Sequence, residues 1–160
     1  MRPTLAGLAL LATILLSACG ETTVDATKGE RFIRGVVAEK VDARVRSVRC
    51  PTDVTEREGD RFTCTVTGVD GTRGDVTVTQ LNDGGLSVNA PFLHVRQAEI
   101  VIAKEIAKRF KADDVKLACP EIVVVKDDAL FRCDATAKGK DRNVTVRLTD
   151  DDGHFRYRLS

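Results

Sequence analysis

The sequence predicts an α+β protein built of two tandem repeats, each one helix packed on a small antiparallel sheet of about four strands with one internal disulfide. Three observations carry this. Cys50-Pro51 and Cys64 return sixty-nine residues later as Cys119-Pro120 and Cys133, with the same spacing between cysteines. A Phe stands two residues before the second cysteine of each copy, Phe62 and Phe131. Each copy is preceded by an amphipathic run and followed by Val-Thr-Val, at 76–78 and 144–146. The expected divisions are a leader over 1–18, a tether over 19–29, and repeats over 30–90 and 91–160.

At the amino terminus, Arg2 is a thin positive start and Leu5–Leu16 an apolar stretch. That stretch is short for a spanning helix, which needs about 20 residues, and right for a signal peptide. It ends in Leu16-Ser17-Ala18-Cys19, which resembles the bacterial lipobox. The resemblance implies cleavage after Ala18 and a lipidated Cys19 as the membrane anchor. The plainer alternatives are an ordinary secretory signal with a chance cysteine, or an uncleaved anchor. Lipidation also resolves the odd count of five cysteines, since it leaves four to pair. Residues 20–29 are small and polar without apolar periodicity, and read as a flexible leash.

In the first repeat, Ile33, Val36, Val37, Val41, Val45 and Val48 recur at spacings of three and four, predicting one helical face over Glu30–Val48. Its valines and Gly35 make it a poor helix in isolation. Pro51 ends it. Strands are expected over Thr52–Glu56, Arg61–Val69, Asp75–Leu81 and Leu86–Asn89, separated by Gly- and Asp-bearing turns. In the second repeat Val95, Ala98, Ile102, Ile106 and Phe110 give a helical stripe. Strands follow over Glu121–Val125, Leu130–Ala137, Asn143–Leu148 and His154–Leu159. The central hairpin loop is one residue shorter in this copy.

Charge excludes some classes of function. The chain carries 25 Lys and Arg against 24 Asp and Glu. Residues 1–18 hold one Arg and no acid, so the remainder balances to zero. This gives no general electrostatic case for nucleic acid or for anionic lipid. The Arg cluster at 31, 34, 44, 46 and 49 could hold an anion. It reads better as a solvated helix face with its stems along the core edge.

The cysteines lack the close C-x2-C pairs of a zinc site. His94 and His154 do not match between copies, so neither suits a repeated catalytic dyad. In an exported chain the pairing Cys50–Cys64 and Cys119–Cys133 is expected, each bond pinning the end of the helix to the second strand. Asp150-Asp151-Asp152-Gly153 lacks the spaced ligands of a calcium loop and reads as a turn. No phosphate loop, nucleophile triad or dinucleotide fingerprint occurs, so no catalytic residue, cofactor or metal is assigned and no enzyme is expected.

The succession of helix, Cys-Pro, apolar strand, Phe-x-Cys and polar hairpin resembles a family of small actinobacterial envelope domains of unknown function, over residues 32–88 and 101–157. Members are often carried by lipoproteins or single-pass membrane proteins, and the resemblance transfers no catalytic residue. Disulfide-bearing helix-plus-sheet repeats are also similar in architecture to secreted β-lactamase inhibitory proteins. The expectation is a lipid-anchored protein on the extracytoplasmic face of the cell membrane, with a non-catalytic binding or structural role and an envelope protein as partner. The alternatives are an inhibitor of an exported enzyme, with Phe92, Leu93 and Tyr157 as exposed anchors, or a small-ligand carrier with a cavity between helix and sheet.

Overall fold

The structure, a computed structural model, describes residues 22–160; the leader and Cys19 lie outside the described residues. Helix α1 spans Ala26–Val41 and is followed by strands β1 (Val45–Arg49), β2 (Arg61–Gly68), β3 (Arg73–Gln80) and β4 (Leu86–Asn89). Helix α2 spans Val95–Phe110 and is followed by β5 (Lys116–Ala118), β6 (Leu130–Ala137), β7 (Lys140–Leu148) and β8 (Phe155–Leu159). Each set of strands is an antiparallel meander in chain order, β1-β2-β3-β4 and β5-β6-β7-β8. The predicted fold class is therefore the observed one. No described helix is long and apolar enough to cross a membrane.

The leash expected over 20–29 is corrected from residue 22 onward. Thr22 and Val24 exchange backbone hydrogen bonds with Glu56 and Val54, and Thr23 bridges Thr55. The Asp25 carboxylate then accepts the Lys28 N–H at 3.1 Å and caps α1. The same lead-in recurs before α2, where Phe92 bridges Val124 and Leu93 bonds Val123. A polar composition hid a fixed strand-like entry, because its bonds are made by backbone.

The helix expected over Glu30–Val48 stops at Val41, with Asp42 left-handed at φ 51°. Val45 and Val48 belong to β1 instead. The cause is a bulge between Val45 and Ser47, which shifts the register on β2. The extra residue lets two valines three apart both face inward, imitating helical spacing within a strand. Nor do Thr52–Glu56 and Glu121–Val125 form strands, for β1 and β5 already occupy the free edges of β2 and β6. The first of these loops is held by buried Gln80, which accepts the Arg57 N–H at 2.8 Å and donates to the Thr55 carbonyl at 3.0 Å.

Both disulfides form as expected, Cys50–Cys64 and Cys119–Cys133. The register of Arg49 on Thr65 and Ala118 on Asp134 places each cysteine directly opposite its mate. Their Cα separations, 4.4 and 4.2 Å, suit a non-hydrogen-bonded antiparallel pair. The bond thus ties the first strand to the second, not the helix end to the second strand. The helix attaches separately: Glu30 accepts the Cys50 N–H at 3.1 Å and Glu99 accepts the Cys119 N–H at 2.8 Å.

The first core gathers Ile33, Val37, Val48, Val66, Val76 and Val78 with Cys64. The second gathers Ile102, Ile106, Val144, Val146 and Leu148 with Cys133. The hairpin β2–β3 turns through Val69–Thr72, whereas β6–β7 turns through Lys138-Gly139, both left-handed, as a two-residue hairpin requires. The lost residue is regained in the next turn, because Val78 faces Val88 while Val146 faces Tyr157.

Removing either staple as a double alanine variant, Cys50→Ala with Cys64→Ala or Cys119→Ala with Cys133→Ala, is expected to cost about 3 kcal/mol. Urea unfolding of the purified chain reads this, and an unchanged midpoint contradicts it.

Candidate functional site

The two units are joined by a seam that the first repeat accepts and the second does not reproduce. Phe92 and Ile122, both from the second unit, complete the first core beside Val37, Val41 and Val66. Their approach depends on two missing side chains. A Cβ on Gly74 would lie 2.6 Å from Phe92 Cε1 and 2.9 Å from Ile122 Cγ2, and one on Gly68 would lie 2.8 Å from Glu121 Cβ. Polar contacts fix the same segment. The Glu121 carboxylate pairs with Arg44 and accepts its backbone N–H at 3.0 Å. The Glu121 N–H donates to Asp70 Oδ2 at 2.9 Å, and the Ile122 N–H to Thr72 Oγ1 at 3.0 Å. Arg96 pairs with Asp42 at 3.1 Å across the same seam.

Burial works to raise the Asp70 pKa, but hydrogen bonds from the Thr72 hydroxyl and the Glu121 and Thr72 N–H groups outweigh it and hold the carboxyl below its ordinary value.

The corresponding end of the second repeat is open. Ala137 and Arg142 stand at the positions of Gly68 and Gly74. Phe110 stands where the first unit has Val41; Val41 is 6% exposed and Phe110 49%. Between the end of α2 and strands β6, β7 and β8 lies a groove of about 680 Å³. Ile106, Phe110, Ala135, Tyr157 and Leu159 form its apolar floor. Arg109, Lys138, Lys140, Arg142 and Arg158 ring it, and no Asp or Glu side chain lines it. None of these five cations is in an ion pair among the described residues. Tyr157 donates to Glu105 at 2.8 Å. Burial first, then Glu105, pushes its phenol pKa up, so the hydroxyl stays protonated at neutral pH. A second hollow, near the start of α1, has mixed charge, with Asp25, Glu56 and Asp83 beside Lys28.

Other expected site residues lie elsewhere. Phe92 and Leu93 are buried at 6% and 9%, which corrects their reading as exposed anchors; of the three, Tyr157 alone lines the groove. In the Arg cluster, Arg34 donates to the Val45 and Arg46 carbonyls, Arg46 to the Val69 carbonyl, and Arg44 to Glu121. Asp150, Asp152 and His154 meet on an exposed turn. There Asp150 Oδ1 accepts the N–H groups of Asp152 and His154 at 3.0 Å each, and its Oδ2 meets His154 Nδ1 at 2.7 Å. Slight desolvation acts to raise the Asp150 pKa, and the contacts with His154 and the Asp152 N–H lower it on balance.

A family model described as a domain of unknown function, DUF4333, matches residues 7–85 and again 86–153. The chain belongs to this family. It carries two copies in tandem, joined by the seam just described. The second match begins at Leu86, whereas the sheets divide after Asn89, because β4 pairs with β3. No curated protein and no solved structure matches the chain.

Two outcomes test the seam. Gly74→Ala forces a methyl into Phe92 and Ile122 and is expected to destabilise the chain by about 1–3 kcal/mol. Gly35→Ala, on α1 with open space around its Cβ, is expected to stabilise it by about 0.5–1 kcal/mol. Denaturant midpoints that rank the two variants the other way contradict the packing. For Asp70, whose native pKa is depressed, the stabilisation is present above the unfolded value of ~3.9 and is lost as pH falls through the native one. Asp70→Asn is therefore expected to melt below the native chain at pH 7, with the gap closing toward pH ~3 in thermal scans. A gap that is independent of pH contradicts the role of its charge.

Proposed function

We propose that the chain is a lipid-anchored protein of the extracytoplasmic membrane face with a non-catalytic binding role, exercised through the groove of the second repeat. One observation carries the binding role: the face that Phe92 and Ile122 seal in the first unit is open and apolar in the second. Phe110 is half exposed on this concave surface where the first unit has the buried Val41, and exposed apolar concavities mark binding sites. The groove's lining offers cations and a phenol already engaged by Glu105, and no histidine or carboxylate side chain among its lining residues, which favours binding over proton-transfer chemistry. Anchoring rests on the leader ending in Leu16-Ser17-Ala18-Cys19.

Of the two alternatives, the carrier gains from a groove between helix and sheet, and the inhibitor loses two of its three anchors to the interior. The first test is Cys19→Ala, expected to release the chain or leave its precursor unprocessed in cell fractions. Retention of a normally processed, unlipidated chain on membranes contradicts the anchor. The second places a photo-crosslinking residue at position 110 or, as a control, at exposed Val101 on α2, in cells. Adducts at 110 and not at 101 are expected; equal yields contradict the groove.

A further inference from the structure

We propose that the groove takes an amphiphilic anion, a hydrocarbon chain ending in a carboxylate or phosphate. This rests on reading the groove as the binding site and names the class of its ligand. The lining asks for an apolar body: Ile106 is buried beneath it, Tyr157 and Leu159 are half-buried and Phe110 is half exposed, and a volume of about 680 Å³ falls within the span of small-ligand sites. The rim asks for negative charge. Arg109, Lys138, Lys140, Arg142 and Arg158 surround the floor without a lining carboxylate side chain, and none of them is in an ion pair among the described residues. In a chain whose charges balance after the leader, this is a local concentration of one sign.

A second copy of the chain does not suit the groove. Docking as the second repeat docks on the first would present Thr23 and Asp53 in the places of Phe92 and Ile122, leaving the apolar floor uncovered. It would also have to pass Ala137 and Arg142, where the first repeat needs glycine for a polypeptide to lie close. An acyl chain carries no backbone to accommodate. It can lie between Phe110 and Leu159, with its head on Arg142 and Lys140 or on Arg109 and Arg158.

The test uses the full chain in phosphatidylcholine vesicles, with a diazirine-bearing palmitate added free, or a diazirine-bearing phosphatidylglycerol in the bilayer. After irradiation, labelled peptides are mapped by mass spectrometry. Labelling of peptides holding Phe110 or Tyr157 by either probe supports the proposal, and the probe that labels tells whether the ligand comes from solution or from the membrane. Labelling is expected to fall roughly tenfold in a Lys140→Glu, Arg142→Glu variant. It is expected to fall in Phe110→Ser, and to persist in the off-groove control Arg31→Glu, Arg49→Glu, all with unchanged far-UV circular dichroism. The alcohol of the same length should label weakly. Equal labelling by the alcohol, or by the charge-reversed groove variant, overturns the proposal. So does absent labelling at Phe110 and Tyr157. If lipid labelling is absent but the crosslinker at 110 captures a protein in cells, the ligand class fails and the binding reading stands. If neither gives an adduct, both fail.

Discussion

Everything in this structure depends on pinning one helix to a four-stranded sheet too small to hold it by burial alone. Each unit spans no more than about 70 residues and has an aliphatic core, with Ile33 and Val37 or Ile102 and Ile106 as the main helix contribution. Domains of that size bury only a modest share of their surface. Two devices compensate, and both meet at the first cysteine of the unit. The disulfide crosses to the facing strand, and a helix carboxylate, Glu30 or Glu99, accepts the N–H of the same residue. Helix, first strand and second strand are thereby fastened at one point, and the rest of the meander follows by hairpins.

With both units held in the same way, their difference becomes informative. The first gives up two side chains, at Gly68 and Gly74, and receives Phe92 and Ile122 in return. The second keeps Ala137 and Arg142 and receives nothing from the described residues. Duplication supplied two equivalent faces, and small substitutions turned one into an internal joint and the other into an open, basic, apolar-floored groove. The polar residues Thr23 and Asp53 at the front of the chain match this division, since they cannot fill a second joint.

Much of this was legible in the residues. The cysteine spacing implied the repeat and both bonds, and the stripe from Val95 to Ile106 marked α2 with its true start. What misled did so for physical reasons. A bulge made Val45 and Val48 look helical. Backbone pairing ordered residues 22–24, whose side chains announce nothing. Phe92 and Leu93 sit beside a proline in a linking segment; the docking of the two units buries Phe92, while Leu93 turns into the core of the second. The groove was invisible for the converse reason: Phe110 fits the helical stripe, and nothing in the pattern says that its end of the stripe lacks a lid. The substitution of Gly74 by Arg142 was the available signal, once the register of the second hairpin is known.

The placement of the cysteines also shapes how the chain matures. Four thiols can pair in three ways, and here each joins the nearest one in sequence, opposite it on a neighbouring strand. A polypeptide appearing amino terminus first presents Cys50 with Cys64 well before Cys119 emerges. With Cys19 withheld by the lipidation proposed above, oxidation in order of appearance yields the native linkage without reshuffling, and the first unit is locked before the second has arrived to dock against it.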